Sequence, residues 1–131
     1  QGVYTHRDVP TTPFTEPTIA VALAGEGAFL HRESVLNLLR LGQLNPPKVR
    51  VGTRRRVRRA LPEWMELENR PDVPNEDLTY YESVPATTVR RALEDMRGRM
   101  PPDRWEAVVD EALRRDLIGE QDAAAWKAVS A

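Results

Sequence analysis

Residues 84–118 constrain the fold of this chain more than any other stretch. They spell VPATTVRRALEDM, a proline-bearing break, and then WEAVVDEALRRDLI. Val89, Ala92, Leu93 and Met96 fall at helical spacing, and Trp105, Val108, Val109, Ala112, Leu113 and Leu117 do so over a longer run. Each segment runs from a cap through an apolar stripe to an arginine-rich end. Two amphipathic helices of this kind need a partner surface, which the rest of the chain has to supply.

The chain is long enough for that. On length it is one domain of 131 residues, able to bury roughly two-thirds of the surface its unfolded form exposes. It contains no cysteine, which removes thiol catalysis and thiolate metal sites and fits a reducing, cytoplasmic compartment. No apolar run approaches the roughly 20 residues that span a bilayer, so no membrane partner is expected. The chain opens on Gln1 rather than methionine, and the expectation is a piece of a longer protein.

The remaining elements follow from local pattern. Pro10, Pro13 and Pro17 with intervening threonines read as an extended linker over residues 1–17. Short helices are predicted over 18–24 and 32–41, the second ended by Gly42 and by Pro46-Pro47. Three strands follow. Val49 and Val51 alternate with Lys48 and Arg50, Met65 and Leu67 alternate with Glu66 and Glu68, and the third covers 78–84. If the first two pair, their basic and acidic rows can form cross-strand ion pairs. Helices over 88–97, 102–116 and 120–129 complete an α+β domain: a small sheet of about three strands and a helical C-terminal half. Asp110 with Arg114 and Glu111 with Arg115 stand in the favourable i,i+4 order.

Little in the chain suggests catalysis. Histidine is limited to His6 and His31, too few for a zinc site without cysteine, and no cofactor is expected. His31 and Ser34 can be drawn as base and nucleophile, or as polar groups satisfying a helix start. Pro71-Asp72 followed by Glu82 resembles the start of a metal-dependent nuclease motif, but Val84 stands where its lysine belongs. Gly25 and Gly27 lack the third glycine of a phosphate loop. Trp105 heads a core stripe, and Trp126 reads as packing inward.

Charge is unevenly placed although the net charge is −1. Lys48, Arg50, Arg54, Arg55, Arg56, Arg58 and Arg59 follow one another without an acid, and residues 63–82 then carry acids against Arg70 alone. The arginine run reads either as an exposed hairpin loop partly neutralised by those acids, or as an electrostatic contact to phosphates or to an acidic protein surface. No aromatic lies beside it for base stacking.

Four stretches carry a resemblance. Gly2-Val3-Tyr4 resembles the end of the wing in a winged helix-turn-helix. GAFLHRESVLNLLRL, residues 27–41, is similar to a small-residue helix that follows such a domain, and VRVGTRRRVRR to a strand with a basic loop. VPATTVRRALEDM and VVDEALRRDLI resemble a paired-helix motif, with Thr87, Arg91, Leu93 and Asp95 on its first half and Asp110, Glu111, Ala112, Leu113, Arg114 and Arg115 on its second. Ala92 stands where a threonine is usual, and Asp116 where a glycine is usual. In this order the stretches resemble the C-terminal part of the AbiEi-family antitoxins of bacterial type IV toxin–antitoxin and abortive-infection loci. The resemblance implies that a DNA-binding domain precedes residue 1, that residues 18–131 form the antitoxin domain, and that its task is to counter a nucleotidyltransferase-fold toxin. Operator DNA would be a partner of the full-length protein. The contact residues it suggests are Arg54, Arg55, Arg56, Arg58 and Arg59, with Arg90, Arg91, Arg114 and Arg115. The alternatives are a transcriptional regulator whose C-terminal domain assists DNA binding or dimerises, and the front module of a nuclease fusion.

Overall fold

The computed structural model describes residues 14–44, 46–58 and 60–130, and side chains only as far as Trp126. Gly2-Val3-Tyr4, His6, most of the expected linker and Arg59 lie outside the described residues. In chain order the elements are α1 (Thr15–Ala24), β1 (Phe29–Leu30), α2 (Glu33–Leu38), β2 (Val49–Thr53), β3 (Met65–Asn69), β4 (Leu78–Tyr81), β5 (Val84–Thr87), α3 (Val89–Met96), α4 (Pro102–Arg114) and α5 (Glu120–Ser130). A 3-10 turn at Asn75–Asp77 precedes β4.

The strands form one five-stranded mixed sheet in the order β3-β2-β1-β5-β4. This corrects the expected three-stranded sheet. It also corrects the helical C-terminal half, because β3, β4 and β5 occupy its first part and the helices begin only at Val89. The expected strand over 78–84 is the first arm of a hairpin whose second arm is β5, with Thr79 opposite Ala86 and Tyr81 opposite Val84. Glu82 and Ser83 make the turn, with φ of 50° and 70°. A two-residue turn of this hand normally uses Asn-Gly, so nothing in these residue types announces it. β1 is only two residues long, too short to show an alternation.

β2 and β3 run parallel, with Arg50 opposite Glu66 and Gly52 opposite Glu68. The arginine run is therefore not a hairpin turn. It begins a crossover, residues 54–64, that must travel back along the strands before β3 can start. Arg50 does pair with Glu66 at 3.1 Å, as the alternating charges suggested, and also reaches Glu33 at 2.8 Å.

One apolar cluster fills the main core. It joins Ala20, Val21 and Ala24 of α1 to Leu30, Val51, Met65, Val84 and Ala86 of the sheet, and on to the stripes of α3 and α4. The α3 stripe is buried as its spacing requires, Leu93 fully, which contributes about 2 kcal/mol for that side chain alone. Thr88 caps this helix by accepting from the backbone N–H of Arg91 at 3.2 Å. Trp105 donates its indole N–H to the carbonyl of Leu93 at 2.8 Å and meets the ring of Trp126 edge-on at 5.5 Å, which fastens α4 to α3 and α5.

Successive strand residues face opposite ways. Leu30 enters the main core, whereas Phe29 and Val73 are buried outside it. Phe29 meets the His31 ring edge-on at 6.2 Å and lies directly over Gly52. A Cβ on Gly52 would stand 2.7 Å from the Phe29 ring and 3.1 Å from Cγ of Arg70. Glycine at this position lets the Arg70 side chain cross β2.

Candidate interaction site

Arg70 follows β3 and is 4% exposed. Its Nε and Nη2 donate to the two oxygens of Asp72, both at 3.1 Å. Nη1 and Nη2 also donate to the two oxygens of Asp95 on α3, at 3.2 and 3.1 Å. Nη1 further lies 2.9 Å from Nδ1 of His31. A guanidinium has only donors, so His31 must accept on Nδ1 and carry its proton on Nε2. Burial, then the Arg70 and Arg32 charges, pull the His31 pKa down to about 3. The imidazole is neutral at physiological pH.

The network continues outward. Arg91 donates to Asp95 (3.0 Å), Asp77 (3.2 Å) and Asp72 (2.8 Å). Arg90 donates to Asp77 at 2.8 Å and pairs with Glu94. Arg32 makes a two-pronged contact with Glu68, 3.0 and 2.8 Å. The hydrogen bond from Arg70 holds Asp72 down at about 2, and that from Arg32 holds Glu68 below the usual carboxylate range. For Arg70, burial opposes the charged form but the Asp72 and Asp95 bonds outweigh it, and its pKa rises. These contacts bind β1, β3, residues 70–77 and α3 into one polar knot. Buried ions survive in this way, by being paired and hydrogen-bonded together.

This arrangement settles where the suggested contact residues lie. Arg90 and Arg91 are engaged inside the knot. Arg115 donates to Glu111 (3.2 Å) and to the carbonyl of Leu39 (2.8 Å), so it fastens α4 to the end of α2. Glu111 also accepts from the backbone of Gly42 at 3.1 Å. Arg114 is exposed at the end of α4. In the crossover, Arg54 donates to the carbonyl of Val73 (2.9 Å) and to Asn75 (2.6 Å). Arg54, Arg55, Arg56 and Arg58 are all exposed. The structure thus brings the loop and the α3 arginines to the same turn, residues 72–77, and leaves several guanidiniums of the loop facing solvent.

The catalytic alternatives lose their partners. Ser34 Oγ accepts from the backbone of Arg50 at 2.8 Å, and His31 Nδ1 is taken by Arg70. Both Asp72 oxygens are held by arginines, and no group of three metal-ligating side chains exists among the described residues. An open cleft of about 500 Å³ lies between β4, the start of α3 and the start of α5, lined by Tyr81, Thr88, Arg90, Leu117, Ile118 and Asp122 among others. Arg90 faces it while already paired to Asp77 and Glu94.

The hub residues His31, Arg70, Asp72, Asp77 and Asp95 are not among the contact residues suggested by the sequence. Their one signal was Arg70 itself, the lone cation in an acidic run. Comparison with protein-family models, with curated proteins and with solved structures yields no match. No described helix is long and apolar enough to cross a membrane.

Proposed function

We propose that this domain is a non-catalytic antitoxin module that restrains a nucleotidyltransferase-fold toxin in the bacterial cytoplasm. Autoregulatory DNA binding belongs to a domain preceding residue 1, and operator DNA is that domain's partner. The paired-helix and basic-loop resemblance supports the family. The observation that carries the site is the contrast among its arginines: Arg55, Arg56 and Arg58 stand exposed on the crossover, whereas Arg90 and Arg91 are paired within the knot and Arg115, though exposed, is paired with Glu111. Exposed guanidiniums on one short loop suit an acidic protein surface, where rim charges steer encounter and fix orientation.

Co-expression with the protein encoded beside it tests this. Changing Arg55, Arg56 and Arg58 together to Gln removes about 1 kcal/mol of contact per side chain, roughly a hundredfold in affinity. Rescue from toxicity should disappear while thermal stability stays close to wild type, because exposed substitutions of this kind shift stability by only about 0.5 kcal/mol. Undiminished rescue by the folded triple variant would remove the loop from the account. Salt-sensitive binding of operator DNA by this domain, with no effect on the toxin, would point to the regulator alternative.

A further inference from the structure

Within the arginine run the structure assigns two different jobs, and we infer that Arg54 is a positioning residue, with Asn75 its counterpart, that holds Arg55, Arg56 and Arg58 in place. This inference rests on the loop being the contact site. Arg54, itself exposed, directs two donors across to the neighbouring turn, Nε to the carbonyl of Val73 at 2.9 Å and Nη1 to Oδ1 of Asn75 at 2.6 Å. Val73 is 1% exposed, and the aspartates on either side of this turn, Asp72 and Asp77, are gripped by Arg70, Arg90 and Arg91. The brace is therefore fixed to the turn that the polar knot holds.

The loop is held from its other side as well. Thr53, itself buried, donates its hydroxyl to the carbonyl of Arg55 at 2.6 Å, and Asn69 donates to the carbonyl of Thr53 at 3.0 Å. These bonds hold the chain as it leaves β2, so that the following guanidiniums start from a set backbone. Without them, neighbouring like charges repel, and the backbone must be ordered when the partner arrives. Ordering one freed residue lowers affinity by roughly tenfold.

The brace and a plain charge contact respond differently to the same substitutions. Arg54→Lys keeps the charge but cannot span both acceptors, because an ammonium lacks the planar fork. Asn75→Ala changes no charge at all. Both variants should lower rescue, read as plating efficiency in co-expression with the neighbouring gene's protein, by about tenfold or more. Arg55→Lys, Arg56→Lys and Arg58→Lys keep a contact charge without removing the brace, so each should lower rescue by less than Arg54→Lys does. In the protein alone, the side-chain Nε–H of Arg54 should exchange with water more slowly than those of Arg55, Arg56 and Arg58, a nuclear magnetic resonance signature that does not depend on the toxin. Wild-type rescue by Arg54→Lys or Asn75→Ala, or equal exchange at all four arginines, overturns the brace. If the triple Gln variant loses rescue while Arg54→Lys keeps it, the contact loop stands and only the brace falls. If the triple variant itself rescues, the contact reading fails first.

Discussion

Removing the hub of the polar knot should be the most damaging single change on the polar side of this protein. Arg70→Met preserves much of the aliphatic stem that crosses Gly52 but deletes the guanidinium. Asp95, whose side chain is 8% exposed, keeps only its bond from Arg91. His31 Nδ1 loses its donor at a site 1% exposed, and a buried acceptor left unpaired costs about 1–3 kcal/mol. Asp72 is half exposed and can turn to water, so its loss counts for less. Breaking a buried ion pair from one side costs about 3–5 kcal/mol, against a typical total stability of about 5–15 kcal/mol. For a chain of this length that lowers the melting temperature by roughly 10–20 °C. Arg115→Met, which removes an exposed pair and one carbonyl contact, should lower it by only a few degrees. Calorimetry on both variants gives the comparison. A loss of under about 3 °C for Arg70→Met would falsify the idea that the knot carries a large share of the stability.

Two further outcomes follow from the same region. His31 binds a proton readily only when unfolded, since its folded pKa lies near 3 against 6.5 for the free side chain, so its contribution is whole above about pH 6.5 and drains away as pH falls towards 3. Urea midpoints should show wild type losing about 2 kcal/mol between pH 6.5 and 5; His31→Gln, which still offers Arg70 an acceptor, should flatten that slope, and superimposable profiles would contradict it. Asp72 adds a second loss below about pH 4, because its folded pKa is near 2. Gly52→Ala should cost about 1–3 kcal/mol by crowding the Phe29 ring and Arg70, and Phe29→Leu in the same chain should return part of it; strict additivity of the two changes argues against the clash.

The helical end of the fold was legible because its signals are local. Thr88, the 3.6-residue stripe of α3, and Pro102 at the start of α4 all act within a turn or two. The sheet was half legible. β2 and β3 show alternation, but their parallel sense depends on a crossover whose path no local pattern encodes, and the Glu82-Ser83 turn lacks the usual residues. The knot was scarcely legible. Arg70 meets His31 and Asp95 across 39 and 25 residues of chain, and charge patterning does not specify partners over such distances. The arginine run was visible as a run, yet only the geometry separates Arg54, tied to Val73 and Asn75, from its neighbours. For the same reason Arg91 and Asp95, both within the resemblance, turn out to hold α3 in place.

The two-residue β1 has a mechanical consequence. Sheets usually carry their longest strands at the centre, so that shear between the outer parts is resisted by many ladder bonds. Here the middle strand is the shortest: Phe29 and Leu30 pair with β2, and Leu30 pairs with Ala86 of β5. Cohesion across that seam is shared by α1, which lies against both β2 and β5, and by the bond from Arg70 to Asp95 of α3. Loosening α1 should therefore shift the load at this joint onto the Arg70–Asp95 bond on the opposite face of the short strand.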